Sequence, residues 1–236
     1  MEERSEARGE HRFPQRPAAS PNTNVVIVAE FGPDVQRYAR EFAQLSIPRP
    51  RSCPYCEAPD RLVGHGSYPR NAVDPQHSIP IRIKRFLCPV CGRTVSVLPT
   101  FCLPHRHYQA AIIQTLLDLR LTAWASWSAI RQRFLPSDLP TRTTCREWVG
   151  AFARNSEAYL HALVQQLARW QLVPGKLEVV MEELAGAARA SQQLVAAVPH
   201  LVAFLRDHGV EVTSGLSRWL ATLWHWGHSQ KLGRIV

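Results

Sequence analysis

Two short stretches, Cys53-Pro54-Tyr55-Cys56 and Cys88-Pro89-Val90-Cys91, decide how this chain folds. Each offers a pair of thiols, and 31 residues lie between the two stretches. Four thiolates can enclose one ion in a tetrahedron, and Zn²⁺ is the ion that proteins usually hold in this way. Proline stiffens each turn, and Gly92 lets the backbone fold back toward the sulfurs. The spacing predicts one structural Zn²⁺ held by Cys53, Cys56, Cys88 and Cys91.

Buried free thiols and disulfides are the alternative interpretations of these cysteines. Cys102, His105 and His107 are further candidate ligands, but a set of four cysteines needs no substitute. We expect Cys102 to be a small buried residue, and the two histidines to cap the next helix or to contact phosphate. Four protein ligands leave no position for water or substrate, so the metal should stabilise the fold without taking part in catalysis.

The composition is that of a globular protein in a reducing compartment. The chain has 236 residues, of which 45% are hydrophobic, and this is enough to bury a core. Six cysteines are too few for a disulfide scaffold, which favours a cytoplasmic location. The sequence has no run of about 18 uncharged apolar residues, so we expect no membrane span. The charged start, Met1-Glu2-Glu3-Arg4, does not have the pattern of a signal peptide.

The positive charge is concentrated around the cysteines. The net charge is +9, and residues 48–107 carry 9 basic and 3 acidic side chains. A basic module of this kind usually binds a polyanion, with phosphate contacts supplying most of the affinity. The alternative is a basic surface that is only solvated.

The sequence predicts an α+β fold, mainly α, in five parts. These are a disordered tail at 1–24, an N-terminal arm and linker at 25–50, a small zinc ribbon with four cysteine ligands at 51–104, a helix-turn-helix at 105–155 and a C-terminal helical region at 156–236. The apolar run 25–31 is compatible with a strand or a packed arm, and a helix is expected at 33–45. Strands are expected at 61–68, 79–86 and 94–98, with a loop at 71–78.

Helical spacing of apolar residues dominates the rest of the chain. It predicts a helix from Tyr108, a second from Trp124 or Ser126 to Phe134, and a third that begins between Thr141 and Thr144 after a break at 136–140. Further helical segments are expected at 157–170, 176–189, 190–206 and 216–226. We expect breaks at 174–175 and 207–209 and a kink or division at Pro199. The tryptophans of the last helix should lie in the core or at a subunit interface.

The second and third of these helices have the pattern of a helix-turn-helix. Such motifs contact base edges with residues in the first turn of the second helix of the pair, where arginine can bond guanine. An ordinary three-helix bundle has the same periodicity. The predicted DNA contacts lie on the ribbon and on this first turn: Arg82, Lys84, Arg85, Arg93, Arg106, Arg142, Thr143, Thr144 and Arg146.

The chain also resembles known families. Residues 53–108 resemble a bacterial zinc-ribbon family of uncharacterised function, through both Cys-Pro-x-Cys stretches, Gly66-Ser67-Tyr68-Pro69-Arg70, Ile81-Arg82-Ile83-Lys84-Arg85-Phe86 and Leu98-Pro99. Residues 53–152 are similar to the N-terminal DNA-binding region of insertion-sequence transposases, where a ribbon precedes a helix-turn-helix and a catalytic domain. The resemblance implies binding to nucleic acid, here double-stranded DNA.

The chain departs from the transposase pattern after residue 152. A transposase nuclease domain needs three carboxylates that hold two Mg²⁺ ions on a large α/β scaffold. Residues 153–236 are too few and too helical for that scaffold. We therefore expect a transcriptional regulator or a transposase-derived protein without the nuclease domain, not an enzyme, with a homodimer possible through the C-terminal helices. The alternatives are a zinc-ribbon adaptor that binds proteins and a divergent transposase or nuclease that uses Glu178 or Glu182.

Overall fold

The computed structural model of the chain describes residues 25–32, 34–134, 140–169, 182, 186, 187, 189–207, 219–230, 232 and 234–236. Its strands are β1 (Val25–Ala29), β2 (Val63–Val73), β3 (Ser78–Leu87) and β4 (Thr94–Pro99). Its helices are α1 (Val35–Glu41), α2 (Ala110–Leu121), α3 (Trp127–Arg133), α4 (Arg142–Arg169), α5 (Ala190–Asp207) and α6 (Trp219–Ser229). The fold is a mixture of α and β structure, as predicted.

Several predictions fall outside the described residues. These are the tail at 1–24, the break at 136–139, the break at 174–175, most of the helix expected at 176–189, the turn at 208–209 and the first residues of the helix expected from 216.

The strands form one sheet in the order β1-β4-β3-β2. β3 pairs antiparallel with both β2 and β4, whereas β1 pairs with β4 in parallel, with Val25 opposite Val95. The apolar run near the start of the chain is therefore a strand that extends the cysteine-bearing sheet.

The loop predicted at 71–78 is wrong. β2 continues to Val73 and β3 begins at Ser78, so the connection is a tight turn from Asp74 to His77. The N–H of Asp74 donates to the carbonyl of His77 at 2.9 Å, and the Asp74 carboxylate accepts from the N–H of Gln76 at 2.8 Å. Pairing with β3 holds residues 71–73 extended, although their own sequence has no strand pattern.

The two faces of β3 belong to two hydrophobic clusters. Ile81 and Ile83 lie in a larger core that continues through α2, α4, α5 and α6. Phe86 lies in a smaller core that contains Leu62, Val95, Val97, Cys53 and Cys88. One face of the sheet thus packs into the core formed with the helices, and the buried cysteines Cys53 and Cys88 lie in the smaller cluster.

The middle helices begin at hydroxyl caps. The Ser126 side chain accepts a hydrogen bond from the N–H of Ala129, so the second predicted helix starts after Ser126 and not at Trp124. Thr141 accepts from the N–H of Thr144 at 3.3 Å and is therefore the cap of α4. Such caps stabilise a helix by about 1 kcal/mol.

Two later helices are longer than the pattern suggests. α4 is one helix of 28 residues that crosses residues 155 and 156, where we placed a boundary between two regions. Pro199 lies inside α5 without dividing it.

The sequence predicted that the tryptophans of α6 lie in the core or at a subunit interface. They are buried in the core. Trp219 donates its indole N–H to the Asp118 carboxylate of α2 at 2.9 Å, and Trp226 packs edge-on against Tyr159 of α4. No helix in the described part of the chain has both the length and the apolar character that a membrane crossing needs.

Candidate functional site

The two cysteine turns, residues 53–58 and 88–93, have the same backbone geometry. In the first, the N–H of Glu57 donates to the carbonyl of Cys53 at 2.8 Å. In the second, the N–H of Gly92 donates to the carbonyl of Cys88 at the same distance. A second bond closes each turn, from Cys53 N–H to Ala58 and from Cys88 N–H to Arg93.

The fifth residue of each turn adopts a left-handed conformation. Gly92 has φ of 69°, and Glu57 has φ of 57°. Gly92 confirms the expectation that glycine allows the backbone to fold back. Glu57 does the same at a cost, because a side chain disfavours this region by about 1 kcal/mol.

The turns bring the four predicted ligands together. The sulfurs of Cys53 and Cys91 are 3.7 Å apart, as are those of Cys56 and Cys88, and all four lie within 4.8 Å of one another. Tetrahedral bonds of about 2.3 Å to Zn²⁺ would place sulfurs roughly 3.8 Å apart. The residues present therefore fit a metal ion bound by four thiolates.

The two cysteines of the second turn differ in acidity. Burial and the neighbouring thiols raise the pKa of Cys91 to about 12. At Cys88 burial acts in the same direction, but hydrogen bonds from the N–H groups of Cys91 and Val90 outweigh it and lower the pKa to about 7. Several thiolates this close repel one another unless a positive ion lies between them.

The additional candidate ligands do not join the cluster. Within the described residues, the four cysteines are the one group of three or more side chains placed to hold a metal. Cys102 is buried, as expected, and burial raises its pKa to about 11. The expectation that His105 or His107 caps the next helix is wrong, because α2 begins after Gln109 without a side-chain cap.

The predicted DNA contacts of β3 point to opposite sides of the sheet. Arg82 and Lys84 lie on the face of Phe86, and the Arg82 guanidinium donates to the Ser67 hydroxyl at 3.0 Å. Arg85 follows Ile81 and Ile83 on the other face, as strand alternation requires. At the second cysteine turn, the Arg93 guanidinium stacks over the Tyr55 ring at 4.3 Å.

Arg85 and Arg106 line the same cavity. It has a volume of about 460 Å³ and lies between the sheet and the segment 104–107. Arg70, which was not among the predicted contacts, also lines it.

The remaining predicted DNA contacts lie on the first turn of α4. Arg142, Thr143 and Arg146 are exposed there, whereas Thr144 is half-buried with its hydroxyl 3.0 Å from that of Thr141. The Arg146 guanidinium lies 5.7 Å from the centre of the Trp127 ring.

The Trp127 ring contacts the guanidinium groups of two arginines. The guanidinium of Arg120, on α2, lies 5.2 Å from the ring centre, so Trp127 contacts cations from two helices. No spacing rule joins Arg120, Trp127 and Arg146, which is why the sequence did not indicate this cluster.

The carboxylates considered for a nuclease are not brought together as far as the structure describes them. Glu157, Glu182 and Asp207 are exposed, and none joins a group of potential metal ligands. Glu178, Glu183 and Glu211 lie outside the described residues.

Comparison with known proteins adds one finding. Residues 53–130 match a family described as a domain of unknown function (DUF6431). The match begins at the first metal-ligand candidate and extends through both cysteine turns, β2 to β4, α2 and part of α3. Comparisons with curated proteins and with solved structures find no match.

Proposed function

We propose that this protein binds double-stranded DNA and that a Zn²⁺ ion on the four cysteines stabilises its sheet. The observation that carries the proposal is a set of basic side chains that form no close ion pair among the described residues. In the described part of the chain, no carboxylate lies within 4 Å of any of the seven predicted basic contacts. They are Arg82, Lys84, Arg85, Arg93, Arg106, Arg142 and Arg146.

The proposed metal role follows from the position of the cysteines. Cys53 and Cys88 are buried in the smaller core, while Cys56 is exposed. A Zn²⁺ ion would neutralise the thiolates and link the two cysteine turns. Because all four positions belong to protein ligands, the chain offers it no place for substrate.

The proposed base-reading element is the first turn of α4. This turn contains no acidic residue, and a helix N-terminus carries partial positive charge that favours phosphate. Arg142 and Thr143 are exposed beside it. Arg146 is placed by its contact with Trp127, which reduces the freedom that it would lose on binding a base or phosphate.

We infer from this arrangement a transcriptional regulator or a transposase-derived protein. The resemblance to the DNA-binding region of insertion-sequence transposases supports that inference. We propose no catalytic role for this chain.

The direct test is affinity for a mixed-sequence duplex across a salt series. The double variant Arg142→Gln, Arg146→Gln should bind more weakly, with a salt slope reduced by about 0.9 for each phosphate that the arginines neutralise in the wild type. Arg37→Gln is the matched control, because exposed Arg37 is already paired with Glu41 at 3.0 Å. Equal binding by both variants would contradict the role of α4.

A protein-binding adaptor is the second candidate, favoured by two exposed valines near the cysteines. Val90, in the second cysteine turn, is 63% exposed, and Val63, which pairs with the residue before Cys88, is 47% exposed. Single exposed valines are common on protein surfaces. If a Val90→Ser variant loses a protein partner while DNA binding is absent in the wild type, this candidate replaces the first.

A further inference from the structure

The cavity between the sheet and residues 104–107 is lined with positive charge. Arg70 and Arg85 line it from β2 and β3, and Arg106 lines it from the segment 104–107, together with His105 and His107. None of the described residues that line it is acidic. Such a lining is suited to an anion.

Arg85 supplies a donor without an acceptor. It lies opposite Ser96 on β4, and its guanidinium packs over the Tyr68 ring at 5.5 Å. Its Nε atom is buried and has no hydrogen-bond partner. A buried charged donor in this state is unfavourable. Because Arg85 also lines the cavity, an oxyanion bound there would lie beside its positive charge.

Arg70 fixes the wall of the cavity. Its guanidinium donates to the carbonyl of Leu103 at 2.6 Å, and this bond ties β2 to the segment that carries Arg106. Arg70 therefore has a positioning role in addition to its charge.

Burial and neighbouring arginines lower the pKa values of two other groups that line the cavity. Partial burial, followed by the charge of Arg234, lowers the pKa of Arg106, and the charge of Glu147 acts in the opposite direction. The pKa of His105 is lowered by partial burial and by the charges of Arg234, Arg70 and Arg106. Cations that disfavour each other's charge are stabilised together when an anion binds among them.

We propose that this cavity is a binding site for a phosphate group, held by Arg85 and Arg106. Its volume of about 460 Å³ exceeds what one phosphate needs, so the phosphate can carry a body of nucleotide size. The phosphate can belong to a free phosphorylated molecule or to a nucleic acid. The site does not use the first turn of α4, although Arg85 and Arg106 are also among the proposed DNA contacts.

The experiment uses sulfate as the probe, titrated calorimetrically into the full chain at constant ionic strength with chloride. We expect one sulfate per chain. Arg85→Gln should weaken binding at least about tenfold, because charge-assisted bonds to an oxyanion are strong.

Arg61→Gln is the matched control. It removes the same charge from an exposed position just before β2 that neither lines the cavity nor belongs to the proposed DNA contacts, and should leave sulfate binding unchanged. Arg106→Gln provides a second variant in case Arg85→Gln unfolds. The proposal is overturned if wild-type chain binds no sulfate above the Arg85→Gln background, or if Arg61→Gln loses as much as the cavity variants.

Competition identifies the source of the phosphate. If a saturating DNA duplex displaces sulfate, the cavity takes a nucleic-acid phosphate. If the duplex binds and sulfate affinity is unchanged, the cavity takes a phosphorylated small molecule, which adenosine monophosphate can test as a competitor. Sulfate binding without any DNA binding would remove the proposed function and retain this site.

Discussion

At the scale of single residues, the two cysteine turns differ at one position. Gly92 adopts a left-handed backbone without strain, whereas Glu57 adopts it with a side chain. Glu57→Gly should therefore stabilise the metal-loaded protein by about 1 kcal/mol, partly offset by the greater freedom of glycine in the unfolded chain.

Gly92→Ala is the reciprocal variant and should destabilise the protein by about 1 kcal/mol, for the same reason. Urea unfolding at fixed free Zn²⁺ measures both. Equal effects of the two substitutions in the same direction would show that the turns are not equivalent.

His105 gives a residue-level prediction about pH. Its pKa is lowered in the free protein by partial burial and by Arg234, Arg70 and Arg106, and a bound anion would offset these charges and raise it. The bound state then holds more protons, so sulfate affinity should increase as the pH falls from about 8 to about 6. This interval spans the usual histidine range, and sulfate keeps its charge throughout it.

His105→Gln should remove more of this pH dependence than His107→Gln, which alters the neighbouring histidine of the cavity. Calorimetry at several pH values provides the comparison. Affinity that is constant across this interval would contradict an anion beside His105.

At the scale of elements, α6 approaches α4 through a glycine. A methyl group on Gly227 would overlap the ring of Tyr159, which is fully buried. Gly227→Ala should destabilise the protein by about 1–3 kcal/mol, the usual cost of overpacking a core. Gly64→Ala is the control, since a methyl group there meets no atom within 4 Å. Urea unfolding of both variants tests the contact, and similar losses in the two would contradict it.

The elements also show how far the sequence predicts this fold. Periodicity located β3, α2 and α3, because each has an apolar stripe of its own. β-Branched residues located β4, which is buried on both faces, and Cys-Pro-x-Cys spacing located the four ligands. The end of β2 was missed because Asn71 is held extended by pairing with Pro80. Asp74-Pro75, a strong turn signal, would have placed the hairpin correctly.

The sequence did not predict which distant elements contact each other. It gave no sign that β1 pairs in parallel with β4. Nor did it show that Arg70, Arg85 and Arg106 line one cavity between the sheet and the segment 104–107. Local patterns carry no information about such pairings. Glu57 was missed for a different reason, since only the observed φ shows that it occupies the position of a glycine.

At the scale of the whole molecule, two apolar clusters meet at the sheet, and the candidate metal centre belongs to the smaller one. Chelation should therefore increase amide hydrogen exchange in residues 53–62 and 88–95, while α4 and α5 keep their protection within the larger core. Exchange measured by mass spectrometry with and without chelator tests this. Uniform loss of protection along the chain would show that the clusters unfold as one unit.

The central claim is that metal-dependent structure supports DNA binding, and one measurement addresses it most directly. Metal content and affinity for a duplex across a salt series should be determined for the wild type and for Cys88→Ser, with Cys102→Ser as a cysteine control outside the metal cluster. We expect one Zn²⁺ per chain and an affinity that falls steeply with salt in the wild type and the control, and the loss of both in Cys88→Ser. One Zn²⁺ per chain without salt-dependent affinity for DNA would contradict the claim.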